Sequence, residues 1–82
     1  MKLDFKWKES TEGYTALHTA WIGGIKVGQT HYNGVDRDPS KKYIGGSVLP
    51  QTGESNKFPS EKEAMEFVEL SVRQWFEKLN LK

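Results

Sequence analysis

The chain contains one long helical pattern, and the rest of it has to fit against that helix. Phe58-Pro59-Ser60-Glu61-Lys62-Glu63-Ala64 opens a run that continues to Leu79. Ser60 followed three residues later by Glu63 is a capping box. In it the Ser hydroxyl accepts from the Glu63 N–H and the Glu carboxylate reaches back to the N–H of Ser60. Pro59 stands just before the cap, where it interrupts no helical hydrogen bond. On a helical wheel Ala64, Val68, Val72, Trp75 and Leu79 fall within roughly 80° of one another, with Met65 and Phe76 on one flank. A single apolar stripe of this kind needs a sheet to cover.

Upstream the periodicity is that of strands. Leu3, Phe5 and Trp7 alternate with Lys2, Asp4, Lys6 and Lys8, the pattern of a half-buried strand whose lysines suit a sheet edge. Glu9 to Gly13 reads as a turn. Tyr14 to Ile22 and Ile25 to Tyr32 are rich in β-branched and aromatic residues, and Gly23-Gly24 between them can take the positive φ angles of a type I′ hairpin turn. A two-residue turn fixes the register and therefore the two faces. One face carries Ile22 opposite Ile25, Ala20 opposite Val27, His18 opposite Gln29 and Ala16 opposite His31, with Tyr14 beyond; its small residues are expected to meet the helix. The other carries Trp21 opposite Lys26, Thr19 opposite Gly28, Leu17 opposite Thr30 and Thr15 opposite Tyr32, and is expected to point outward.

Asn33 to Lys42 is a polar connection with the turn formers Asn-Gly and Asp-Pro. Tyr43 to Leu49 predicts another strand, in which Gly45-Gly46 marks a bulge or a close approach to the backbone. Pro50 to Lys57 reads as a loop, and Phe58 anchors the start of the helix. The expected architecture is one α+β domain over residues 1–82. It has a three- or four-stranded antiparallel meander sheet with one C-terminal helix packed on one face.

The composition removes several chemistries. The chain has no cysteine, so no disulfide framework, thiolate nucleophile or zinc ribbon is available. No apolar run approaches the ~20 residues of a membrane span, and the first residues alternate charge with bulk, unlike a signal peptide. A soluble, cytoplasmic protein with no membrane partner is expected. Charge is nearly balanced, 12 Lys+Arg against 11 Asp+Glu, which argues against a non-specific nucleic-acid coat. It is unevenly placed, with Lys2, Lys6, Lys8 and then Arg37, Lys41, Lys42 set against Glu61, Glu63, Glu66, Glu69 and Glu77 on the helix.

His18 and His31 fall on the same expected face, but no further ligand stands beside them and no metal is assigned. Asp36 and Asp38 flank Arg37 in a turn-rich loop, where carboxylates cap backbone N–H groups and pair with nearby cations. No nucleophile elbow and no phosphate loop is present. The reading is therefore a non-enzymatic protein without cofactors. Two surfaces remain. Phe67 and Leu70 lie off the helix stripe, either covered by the first strand or a loop, or exposed as a partner patch. Trp21, Leu17, Tyr32, Lys26 and Arg37 form an aromatic and basic group. The opening strand covers it by packing Trp7 on Trp21, or it binds protein, or it binds nucleic acid.

Strands followed by Phe58, Ser60, Glu63 and Ala64, an F-x-[S/T]-x-x-E-A pattern at the start of a C-terminal helix, resemble the small DNA-binding domains of tyrosine integrases and AP2-type transcription factors. That resemblance implies a three-stranded sheet in the major groove, reading with Trp21, Lys26, Tyr32, Lys41 and Lys42. In size, aromatic sheet and terminal helix the chain is also similar in type to small phage and prophage accessory proteins, such as anti-CRISPR inhibitors, which occlude a surface. The leading expectation is a protein-binding module of that kind, in the host cytoplasm if phage-encoded, aimed at a nucleic-acid-handling complex. It would act as a monomer or weak homodimer through Trp21, Tyr32, Arg37 and Tyr43 or through Phe67 and Leu70. The alternative is a DNA-binding domain using its exposed sheet face.

Overall fold

The computed structural model describes residues 3–10, 16–49 and 55–80, with residues 79 and 80 described by their backbone. The expectations for Lys2, Tyr14, Thr15, the Leu79 side chain, the turn at 11–13 and the loop at 50–54 lie outside the described residues. Five strands, β1 (Phe5–Glu9), β2 (Ala16–Ile22), β3 (Ile25–Tyr32), β4 (Tyr43–Ser47) and β5 (Ser55–Phe58), are followed by helix α1 (Glu61–Asn80). They pair in the order β1-β2-β3-β4-β5, each antiparallel to its neighbour, so the sheet is a meander with β1 and β5 at its edges. The α+β architecture with one C-terminal helix is the expected one. The fifth strand comes from Ser55–Phe58, most of which read as loop because it lacks apolar alternation; it is exposed except at Phe58.

The helix begins where the capping box places it. Ser60 Oγ accepts from the Glu63 N–H at 3.3 Å, while the Glu63 carboxylate accepts from the Ser60 hydroxyl at 3.2 Å in place of the Ser60 N–H. Ala64, Val68 and Val72 are fully buried, and with Ala20 and Val27 they make the core, against which Leu3, Phe5, Trp7, Ile22, Leu49 and Phe76 pack. Each buried valine contributes about 1.5–3 kcal/mol through the apolar area it removes from water. The helix crosses the sheet from β4 toward β1. Ala64 sits on Gly45, Val68 on Gly28, and the Arg73 guanidinium lies 5.2 Å from the Phe5 ring. Contact this close needs glycine beneath it. A Cβ at Gly28 would overlap Val68 Cγ1, and one at Gly45 would overlap the Ala64 backbone. Gly45 thus marks a close approach, one of the two readings its position allowed.

The hairpin turns at Gly23-Gly24 as expected, but only Gly23 takes a left-handed φ, at 60°. A positive φ at the first central position alone is the type II′ pattern, not type I′. The register then departs from the regular one. Trp21 pairs with Lys26, but Ala20 pairs with Gly28, leaving Val27 as an extra residue; a second irregularity at Leu17 separates the pairs His18–Thr30 and Ala16–His31. A bulge exchanges the faces of everything beyond it. Both Val27 and Gly28 therefore serve the helix side. Thr30, expected outward, is fully buried, whereas Gln29 and His31, expected inward, share the outer face with Thr19 and Ile44.

Candidate functional site

Strand alternation puts Phe5, Trp7, Ala20, His18, Thr30, Gly45 and Phe58 under the helix, and among the described residues no helix lies across the other sheet face. Along that open face β1 contributes Lys6 and Lys8, β2 Thr19 and Trp21, β3 Lys26, Gln29 and His31, β4 Ile44, and β5 Lys57. Among the described strand residues no carboxylate shares it. The acidic side chains of the helix, Glu63, Glu66 and Glu77, are exposed on the opposite layer. The helix also exposes Lys62, Arg73 and Lys78, so its exposed charges are mixed while those of the open face are basic.

Trp21 is the aromatic centre of the open face. Its Nε1–H donates to Thr19 Oγ1 at 2.9 Å, which lays the indole along its own strand, and Lys8 Nζ stands 4.9 Å from the ring centroid. Trp7 does not cover it. Trp7 pairs with Ala20 on the helix side and donates to Glu69 Oε2 at 2.8 Å, and Glu69 in turn faces Arg73 at 3.6 Å. The Glu69–Arg73 pair is thus present, and Glu69 also ties the helix to β1.

The other expected site residues separate. Lys26 joins Trp21 across the hairpin. Tyr32 and Tyr43 pair with each other edge to face at 5.7 Å between centroids. By register they lie on the helix side of the sheet end, away from the face to which Tyr32 was assigned, because the Val27 bulge has exchanged β3's faces. Arg37 and Lys41 are exposed on the 33–42 connection. Lys42 is turned into that loop, where its Nζ donates to the Asp36 carbonyl. Asp36 accepts from the Asp38 N–H at 3.0 Å, and Asp38 caps the short 3-10 turn Pro39–Lys41 by accepting from the N–H and hydroxyl of Ser40. Those bonds hold the Asp38 carboxyl below its ordinary value. Both aspartates therefore organise backbone. Phe67 packs on Phe58 at 5.3 Å, so β5 covers it, while Leu70 remains 52% exposed. Leu70 and the Phe58–Phe67 pair sit in an open concavity among Glu63, Glu66, Glu69 and Arg73.

His18 and His31 stand on opposite faces and cannot share a metal. His18 instead meets Glu61 at the first turn of the helix: its Nδ1 contacts Glu61 Oε2, to which Thr30 Oγ1 also donates at 3.1 Å. The same Thr30 oxygen accepts from the His18 N–H at 3.1 Å. In this trio the Glu61 carboxylate collects both partners, the imidazole and the threonine hydroxyl. It is a clasp fixing the helix start to the β2–β3 hairpin.

The residues that sequence reasoning missed are Lys6, Lys8 and Lys57 as companions of Trp21, together with Gln29 and His31. Lys57 lay in the stretch read as loop. Gln29 and His31 were hidden by the bulge, whose one sequence signal was Gly28 inside a strand pattern. No protein-family model, curated protein or solved structure matches this chain.

Proposed function

We propose that this protein is a non-enzymatic nucleic-acid-binding module and that the open sheet face is its contact surface. The observation that carries the reading is the company Trp21 keeps: Lys6, Lys8, Lys26 and Lys57 on the same face, with no carboxylate among its described strand residues. Lysines supply a sequence-independent attraction to phosphates through released counterions. An aromatic ring among them offers a stacking surface. The helix side mixes exposed Glu63, Glu66 and Glu77 with Lys62, Arg73 and Lys78, so the open face is the more basic side and the one that attracts a polyanion.

Fluorescence anisotropy with labelled oligonucleotides across a salt series tests the reading. Four phosphate contacts give a log–log salt slope of about −3, and each Lys→Gln replacement at 6, 8, 26 or 57 lowers its magnitude by about 0.7–0.9. Absence of binding at low salt sinks the proposal.

A second reading is the protein-occluding module similar to phage accessory inhibitors. Exposed Leu70 beside the Phe58–Phe67 pair favours it, because an exposed apolar patch rimmed by charged side chains marks a partner contact in many proteins. In that case Leu70→Glu abolishes capture of the partner, and Lys57→Gln leaves it intact.

A further inference from the structure

We infer that the nucleic acid taken by the open face is single-stranded, with one base stacking on Trp21 in the place now held by Lys8. This rests on the proposed nucleic-acid reading and narrows it.

The width of the face is the first ground. Five strands at about 4.8 Å spacing set the outer strands about 19 Å apart. The B-form major groove is about 12 Å wide and accepts an α-helix or a two-stranded ribbon. Lys6 and Lys8 lie on β1 and Lys57 on β5, at the two margins of the sheet, so a groove cannot receive both sets together. A flexible single strand crossing the sheet from edge to edge meets both with its phosphates. Between those margins the face offers Trp21, Gln29, His31 and Ile44, which suit bases, with Lys26 beside Trp21 at the hairpin end as one further phosphate contact.

The state of Trp21 is the second ground. The bond from Nε1 to Thr19 Oγ1 fixes the ring, so a base meets an aromatic surface already in place. Lys8 Nζ covers that ring, on a flexible side chain that is otherwise exposed. An exposed cation–π contact is weaker than a base stacked on tryptophan. The incoming base displaces the ammonium, and a flanking phosphate receives it. Lys8 therefore shields the indole from water in the free protein and becomes a phosphate contact in the complex. Duplex nucleic acid, whose bases are already stacked, cannot make this exchange.

The test uses the full chain with a labelled 12-nucleotide oligo-dT, a mixed-sequence single strand, its duplex, and inorganic polyphosphate of matched charge, all at one salt concentration. The expected result is at least tenfold tighter binding of both single strands than of the duplex or the polyphosphate, with quenching of tryptophan fluorescence. Trp21→Ala is expected to weaken single-strand binding roughly 5- to 150-fold, the loss of one stacked base, with the salt slope unchanged. Trp21→Phe keeps an aromatic surface and most of the affinity but loses the quenching, because Trp7 is on the helix side of β1 and Trp75 is on the helix itself. Lys8→Gln lowers the slope by about 0.7 and leaves the quenching in place. Far-ultraviolet circular dichroism checks that each variant is folded, and the wild-type comparison stands without any variant. Duplex binding equal to or tighter than single-strand binding overturns the inference and leaves the nucleic-acid reading standing. So does polyphosphate binding as tight as oligo-dT, or quenching that survives Trp21→Phe. Binding of none of the four probes overturns both, and points to the protein partner.

Discussion

The two faces of this sheet are made from the same strands, yet they obey different constraints. On the inner face Ala20, Gly28 and Gly45 are selected for what they lack, since any added atom at the glycines meets Val68 or the Ala64 backbone. On the outer face Lys6, Lys8, Lys26 and Lys57 carry long side chains toward solvent, and Trp21 is fixed by a single hydrogen bond. Inner residues are tied to shape and outer residues to charge. Substitutions on the two faces should therefore fail in different assays, one in folding and the other in binding.

The largest expected effect is at Gly45. An alanine Cβ there overlaps helix backbone, which cannot rotate away as a side chain can, so Gly45→Ala should cost about 3 kcal/mol or more in a urea titration. A cost below about 1 kcal/mol would mean that the helix slides freely on β4 and that the inner face is not close-packed. Next comes Gly28→Ala, whose Cβ meets the end of the Val68 side chain and should cost about 1–3 kcal/mol. Val68→Ala removes the obstacle, so the double variant should be more stable than the two single costs added together; strict additivity in the cycle would break the assignment. On the outer face Lys6→Gln and Lys57→Gln should change stability by no more than about 0.5 kcal/mol while weakening oligonucleotide binding. A stability loss comparable to the inner-face variants would erase the distinction between the faces.

The smallest effect belongs to neither face. Asp38 on the 33–42 connection has its carboxyl held below the ordinary value of 3.8 by the Ser40 N–H and hydroxyl. A depressed carboxyl contributes stability that is fully present above its unfolded value and lost as pH falls through the folded one. Wild type and Asp38→Ala should therefore differ slightly at neutral pH and converge below pH 3.8, as thermal melts across an acid series would show. Asp38 is fully exposed, so solvent screening keeps the difference small.

How far these faces were legible in the chain depended on whether the deciding interaction was local. The Ser60 acceptor of the cap and the Ala64–Val68–Val72 stripe are spaced by helix geometry alone and stand as read, while the Glu63 carboxylate takes the Ser60 hydroxyl and not its N–H. The lysines of β1 were visible for the same reason, through strict alternation. Strand β5 was not, because Ser55–Phe58 forms a strand by pairing with β4, and its own sequence has no apolar period. The face of Thr30 was misassigned for a related reason: whether Val27 is skipped is decided by the helix, which needs both the valine and the glycine beside it. Tyr32 followed Thr30 to the inner side, and the expected group of Trp21, Tyr32 and Tyr43 came apart with it.

The extra residue at Val27 has a consequence for descent as well as for packing. Removing it from the gene makes Gly28 the regular partner of Ala20 and keeps Gln29 opposite Thr19 and Thr30 opposite His18. The same residues paired without the bulge instead put Val27 opposite Ala20 and turn β3 over, carrying Thr30 to solvent and Gln29 and His31 toward the helix. Loss of that one codon therefore preserves the recognition surface, while a one-residue slip in pairing exchanges much of it with the order of strands unchanged. Related chains that lack the bulged residue can therefore present the same outer face, and an alignment that leaves out the gap at Val27 would compare inward residues with outward ones.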